Sequence, residues 1–398
     1  MTVGGPVAPR TGRLGVAMVG LGGAVATTAV AGVELLRQAL VGLDGLPLAA
    51  LDADLAPYDA LVFGGWDLTG DDLAKAAEVH GVLEAPQLAA VADHLAQHRP
   101  WPGVGSADFC RNVEGDHRVE VGHRAAVQAL VADLERFRNE QSLDGIVVVN
   151  LASTERVHDT TLPVFDTIEA FEAGLDCDHP EIGPGSRYAY AAIQAGGGYA
   201  NFTPSVAADV PALEALAQQR GVPLAGKDGK TGQTMLKTVL APALRSRALT
   251  VEGWFSTNLL GNRDGRALED PDSLAAKLAT KRDLLNGLLG YPVDDHVVTI
   301  NYYRPRGDAK EAWDAIDLVG FLGQRMQLKI NFLCRDSVLA APLVLELART
   351  LDLARRRGEG GVVRALGWFF KAPVGPPPIE HALHRQEAAL LDWLAAGR

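Results

Sequence analysis

Between Leu14 and Val33 the chain carries no charged residue, and glycine divides this stretch into two unlike halves. The first half, Leu14-Gly-Val-Ala-Met-Val19, is a short apolar run of the kind that forms a strand buried on both faces of a parallel sheet. A glycine turn, Gly20-Leu-Gly22-Gly23, follows, and the second half runs with helical character toward Arg37. A strand of this kind needs neighbouring strands on both sides and helices above and below, which commits the chain to an α/β architecture. A secretory signal is the competing reading, because Arg10 and Arg13 precede the run and small residues occupy Ala29–Gly32. The interrupting glycines with Thr27 and Thr28 weigh against it. So do Cys110, Cys177 and Cys334, which match neither a disulfide framework nor a zinc spacing and suit a reducing cytoplasm. The Gly/Pro-rich start, Met1 to Gly12, reads as a frayed leader.

Other strand ends repeat the pattern. Ala60-Leu-Val-Phe-Gly-Gly-Trp66-Asp67 closes on an acidic residue suited to a ribose hydroxyl, and Gly145-Ile-Val-Val-Val-Asn150 leads to Ser153-Thr154-Glu155-Arg156. Amphipathic helical spacing over Asp71–Glu78 and Ala125–Gln141 separates these runs, so a doubly wound, Rossmann-type parallel sheet is expected, with ligands at the carboxyl ends of its strands. The turn itself reads G-x-G-G, with Ala26 where a third glycine would fall. By itself that pattern suits either a dinucleotide site or a tight turn. At 398 residues and 47% hydrophobic, the chain has room for two domains. A net charge of −12 supplies no basic field for nucleic acid or an anionic membrane.

Of the 37 lysines and arginines only nine are lysines, and eight of those nine lie between Lys227 and Lys371. Arginine stays charged, whereas a desolvated lysine can give up its proton and act as acid, base or compact oxyanion partner. The cluster therefore suggests a polyanionic site with proton-transfer chemistry. Gly226-Lys-Asp-Gly-Lys-Thr-Gly-Gln-Thr234 precedes a helical stretch and invites a P-loop reading, but that motif needs glycine at the position of Leu224. The loop can still hold phosphate through hydroxyls, lysines and backbone donors at a helix start. Asn258 to Gly265 reads as a polar loop after a strand Leu249–Phe255. Lys277 and Lys281 share one face if helical, where two ammoniums lower each other's proton affinity unless an anion sits between them. Strands Val297–Tyr303 and Met326–Leu333 lead respectively to Asp308-Ala-Lys310 and to Cys334-Arg-Asp336-Ser337, and Trp368-Phe-Phe-Lys371 ends an aromatic run on a lysine.

Taken in order, G-L-G-G with T-T, G-G-W-D, S-T-E-R, G-K-D-x-K-T-G-Q-T, N-x-L-G-N-R-D-G, K-x-x-x-K, G-D-x-K, C-R-D-S-x-L-A-A-P-L and F-K-A-P resemble the myo-inositol-1-phosphate synthase family from about Leu14 to Pro373. The resemblance implies an NAD-binding Rossmann-type domain over residues 10–248, a central α+β catalytic and oligomerisation domain over 249–334, and a return to the first domain over 335–398. It implies NAD-dependent conversion of glucose 6-phosphate to inositol phosphate by C5 oxidation, aldol closure and re-reduction, in a homotetramer or homodimer. Carried over by motif, Lys277, Lys310, Lys371, Asp228 and Asp336 are the catalytic set. Thr231, Gly232, Gln233, Thr234 and Lys281 would hold the phosphate. Gly20, Gly22, Gly23, Thr27, Thr28, Asp67, Asn262 and Asp264 would hold NAD, and no metal ligand set is evident. Longer family members have Asn-Asn-Gly at Ala24-Val25-Ala26 and more chain after Lys281. Two alternatives stay open here: closure of a five-membered carbocycle on fructose 6-phosphate, and a non-catalytic NAD-binding regulatory protein.

Overall fold

The computed structural model describes residues 12–110, 113, 115–261 and 284–396. The expected first strand is β1 (Arg13–Val19), buried from Leu14 onward. In chain order β2 (Leu61–Asp67), β3 (Trp101–Pro102), β4 (Leu143–Asn150), β5 (Gly198–Asn201) and β6 (Pro223–Gly226) follow in the same sheet. The second sheet consists of β7 (Thr250–Leu260), β8 (Asp295–Tyr302), β9 (Ala309–Val319) and β10 (Arg325–Arg335). The short β11 (Gly361–Val362) then returns to the first sheet and pairs in parallel with β6.

The large sheet has the order β11-β6-β5-β4-β1-β2-β3, with every pair parallel. Helices cover both faces. Ala24–Arg37 and Asp336–Arg356 pack on one side around Val16, Met18 and Val147, while His123–Glu140 and Pro184–Gln194 pack on the other around Ala17, Ile146 and Val148. The chain therefore has the expected doubly wound α/β fold.

The small sheet runs β10-β9-β7-β8, with β7 antiparallel to β9 and parallel to β8. Its inner face buries Val251, Trp254, Ile316 and Leu318 against Ala241 of the helix Gly232–Ser246 and against Leu284, Leu285, Leu288 and Leu289. Two local expectations need correction. β7 continues to Leu260, so Asn258 lies inside a strand and not in a polar loop. Lys310 belongs to β9, a strand whose alternating inward Ala312, Asp314 and Ile316 do not read as an apolar run. Of the sequence-derived candidates, Asn262, Asp264, Lys277 and Lys281 lie outside the described residues, as does the leader except for Gly12. No described helix is long and apolar enough to cross a membrane.

Candidate active site

After β1 the chain winds toward β2 and β3, whereas β4 opens the other half of the large sheet, so the carboxyl ends of β1 and β4 form a topological switch point. Gly20 turns there with φ of +85°, a left-handed conformation that glycine adopts without a side-chain clash. Its amide and that of Leu21 both donate to the Trp66 carbonyl, at 2.8 and 3.0 Å. The Asp67 carboxylate holds the same turn, accepting from the Gly22 amide at 2.9 Å and the Thr69 amide at 3.0 Å. Helix Ala24–Arg37 starts at Gly23 without a side-chain cap, so its first N–H groups are available to an anion, and small residues leave room for close approach.

The opposite wall is assembled by a backbone ladder between the loop after β6 and the aromatic segment near the C-terminus. Lys227 N donates to Ala372 O at 2.9 Å, Lys371 N to Asp228 O at 2.7 Å, and Lys230 N to Phe369 O at 2.8 Å. This pairing sets Lys371 Nζ 2.7 Å from Asp228 Oδ1. Asp228 Oδ2 is buried without a hydrogen-bond partner among the described residues. A Cβ on Gly229 would sit 2.1 Å from the Phe202 ring, so the ladder can pass that ring only at a glycine. Beside it, Asp336 Oδ1 accepts from Thr231 Oγ1 at 3.0 Å and Asp336 Oδ2 from Lys310 Nζ at 3.1 Å.

One cavity of about 500 Å³ joins these walls, lined by Gly20, Gly23 and Asp67 on one side and by Asp228, Thr231, Lys310, Asp336 and Lys371 on the other. The structure thus brings together candidates for both the cofactor and the reacting sugar. Others point elsewhere. The Thr27 hydroxyl is buried and donates to the Gly23 and Ala24 carbonyls, Thr28 donates to Ala24 O, and neither lines the cavity. Gly232, Gln233 and Thr234 form the buried first turn of helix Gly232–Ser246, behind the lining. Gln233 is bound to the small sheet: its Nε2 donates to Asp314 Oδ2 at 2.9 Å and its Oε1 accepts from Asn258 Nδ2 at 2.7 Å.

Two further residues stand within sequence motifs that gave them no site role. Asn258 is buried with its Oδ1 unpartnered among the described residues, and its misreading as loop hid the inward direction that strand alternation assigns it. Glu155 borders the cavity, accepts from the Gly185 amide at 2.8 Å and leaves Oε2 without a partner among the described residues. Burial raises its carboxyl to about 7.

Burial also lowers two amines near the loop after β6. Lys230, whose Nζ donates to Gln386 Oε1, falls to about 7, and Lys237, 2.8 Å from His296 Nε2, falls to about 8. Burial pushes the Asp308 carboxyl up, opposed by the Ser337 hydroxyl that donates to it at 2.6 Å. Among the described residues no group of three or more His, Cys, Asp or Glu side chains is arranged to hold a metal ion.

A sequence profile described as myo-inositol-1-phosphate synthase matches residues 46–395. The chain is 39% identical to inositol-3-phosphate synthase 1 of Bacteroides thetaiotaomicron over 394 aligned residues, covering 92% of this chain and 91% of that one. The crystal structure of inositol-3-phosphate synthase from Caenorhabditis elegans superposes with a TM-score of 0.90 at 26% identity, covering 98% of this chain and 86% of that chain. A myo-inositol-1-phosphate synthase-related protein from Thermotoga maritima superposes with a TM-score of 0.80 at 26% identity, covering 96% and 98% respectively.

Proposed function

The chain belongs to the myo-inositol-1-phosphate synthase family, and from that premise we infer that it is an NAD-dependent isomerase converting glucose 6-phosphate to an inositol phosphate without net redox change. The observation that carries this reading is the shared cavity, where an uncapped helix start and two lysine–aspartate pairs face the same space. Bound NAD would supply reversible hydride chemistry with no net redox change, which requires that it stay with the protein through turnover. Gly20, Gly23 and the first N–H groups of helix Ala24–Arg37 would hold its pyrophosphate, and Asp67, which fixes that turn, would take a ribose hydroxyl.

The protein's own groups supply the rest. Ketone formation at C5 acidifies the C6 protons, and the C6 carbanion attacks the C1 aldehyde. Each step builds negative charge on a sugar oxygen, which fixed ammonium groups stabilise. Lys371, oriented by Asp228, would stabilise the oxyanion at C1 or C5. Lys310, oriented by Asp336, would carry the proton at the C5 oxygen together with Lys277. Thr231, the first turn of helix Gly232–Ser246 and Lys281 would hold the phosphate, and Asn262 and Asp264 would lie near the nicotinamide. On this reading the chain divides into residues 10–248, 249–334 and 335–398, and it works in the cytoplasm.

Assembly through the small sheet belongs to the same proposal. Phe255, Val297 and Trp313 are 45%, 45% and 50% exposed on the face turned away from helix Gly232–Ser246. Phe255 pairs with Val297 and Ala315 across the strands, which makes a contiguous apolar strip suited to a second copy in a homodimer or homotetramer. For the reaction, pure protein is incubated with NAD⁺ and glucose 6-phosphate and the product identified by NMR. An inositol phosphate is expected. Turnover of fructose 6-phosphate with none of glucose 6-phosphate would transfer the reading to five-membered ring closure.

A further inference from the structure

Gln233 sits in the turn that would cradle the substrate phosphate, yet its side chain faces the opposite way. It is 4% exposed and is held between two strands of the small sheet. At the centre of that contact lies Asp314 of β9, itself 3% exposed. Asp314 Oδ1 accepts from Trp254 Nε1 at 2.7 Å and from Ser256 Oγ at 2.6 Å, while Oδ2 accepts from Gln233 Nε2 at 2.9 Å. A buried carboxylate costs several kcal/mol to desolvate unless hydrogen bonds and a nearby cation compensate it. Here three donors do so, and Lys237, one helical turn after Gln233, supplies the cation, lying 5.3 Å over the Trp254 ring.

The first turn of helix Gly232–Ser246 is therefore tied at two points on opposite sides. Thr231 is bound to Asp336 at the cavity, and Gln233 is bound to Asp314 behind it. Neither tie uses a main-chain donor of the turn, so the turn's orphan N–H groups stay available while its orientation is set by the sheet. We propose that Asp314 is a positioning residue: through Gln233 it docks the helix start onto the small sheet, so that main-chain N–H groups, and not the Gln233 amide, receive the substrate phosphate. The proposal rests on the reading of this cavity as a sugar-phosphate site.

A charge-swap cycle separates a strut from a ligand. Gln233→Glu sets a carboxylate against Asp314 and should raise KM for glucose 6-phosphate by about tenfold or more, with kcat changed less and NAD affinity unchanged. Adding Asp314→Asn restores the bond between positions 233 and 314 with donor and acceptor exchanged, leaves an Oδ1 to accept from Trp254 and Ser256, and restores the wild-type net charge. The double variant should recover KM to within about threefold of wild type. If Gln233 bound the phosphate directly, the glutamate would repel it in both variants, so absence of recovery overturns the proposal. Should Gln233→Glu fail to fold, Asp314→Asn alone decides. A raised KM at unchanged NAD affinity supports the strut, whereas an unchanged KM accompanied only by a lower Tm overturns it. Absence of turnover in the wild type would instead defeat the reading of the site, leaving the two failures distinguishable.

Discussion

Lys371 Nζ meets Asp228 Oδ1 at 2.7 Å although 143 positions separate them in the chain. The ladder of main-chain bonds between residues 227–230 and 369–372 produces this contact, so the lysine's position follows from backbone pairing and not from a flexible side chain finding a partner. Lys371→Met keeps the apolar stem and removes the ammonium. Turnover should fall by ~10²–10⁴-fold while NAD binding, followed by quenching of tryptophan fluorescence, is preserved. Retention of more than about a tenth of wild-type kcat would remove Lys371 from the chemistry.

Asp228 tests the other half of the pair. Its φ of +61° is a conformation that asparagine also tolerates, so Asp228→Asn changes charge with little backbone cost. Turnover should drop, because the Lys371 ammonium loses the carboxylate that holds it in position. A kcat equal to that of the wild type would contradict this role.

Lys277 and Lys281 lie outside the described residues, and their expected roles come from the family resemblance alone. Lys277→Arg keeps the charge but cannot exchange a proton near neutral pH, so it should lose kcat as Lys277→Ala does. Lys281→Ala should mainly raise KM, having removed a charge-assisted phosphate contact worth about 1.5–3 kcal/mol. Near-normal kcat in Lys277→Arg would reassign proton transfer at C5 to Lys310.

Glu155 gives the protein a pH signature in its stability. Burial raises its carboxyl from the ordinary 4.5 to about 7, so the folded state holds the proton more tightly than the unfolded state does. Its contribution is therefore fully present below about pH 4.5 and is lost as pH rises through about 7. Glu155→Gln keeps an acceptor for the Gly185 amide and cannot ionise. The Tm difference between variant and wild type, measured without ligands, should grow in the variant's favour from pH 5 to pH 8. A constant difference across that range would show that the carboxyl is not held protonated.

The exposed strip on the small sheet predicts an assembly defect. Phe255→Glu places a charge at its centre beside Val297 and Ala315. Light scattering should report a reduced mass at micromolar concentration relative to an oligomeric wild type. A monomeric wild type would remove the interface altogether.

Much of the large sheet was legible in the chain because its determinants are local. A parallel strand buried on both faces has to be a continuous apolar run, and the turn after it has to contain glycine, so Leu14–Gly23 announced both. The small sheet was harder to read. Each of its strands has one open face, and β9 carries Asp314 inward where alternation calls for an apolar residue, so the strand bearing Lys310 escaped notice. Asn258 was misplaced for the same reason: a polar residue buried by its partners looks like a loop residue until those partners are known.

The amino-acid order by itself determined the α/β class, the glycine turn, the absence of a P-loop and the set of amines from which a site could be drawn, since each depends on residue type and short-range spacing. Tertiary structure alone decided which of those groups share a cavity. Lys371 reaches Asp228, and Lys310 and Thr231 converge on Asp336, because strand pairing and main-chain ladders bring distant segments within hydrogen-bond range. It also decided that Gln233 turns away from the cavity. A motif specifies which side chain stands at a position, but the direction in which that side chain points depends on what the rest of the fold packs against it, and for Gln233 that is a buried carboxylate on the far sheet.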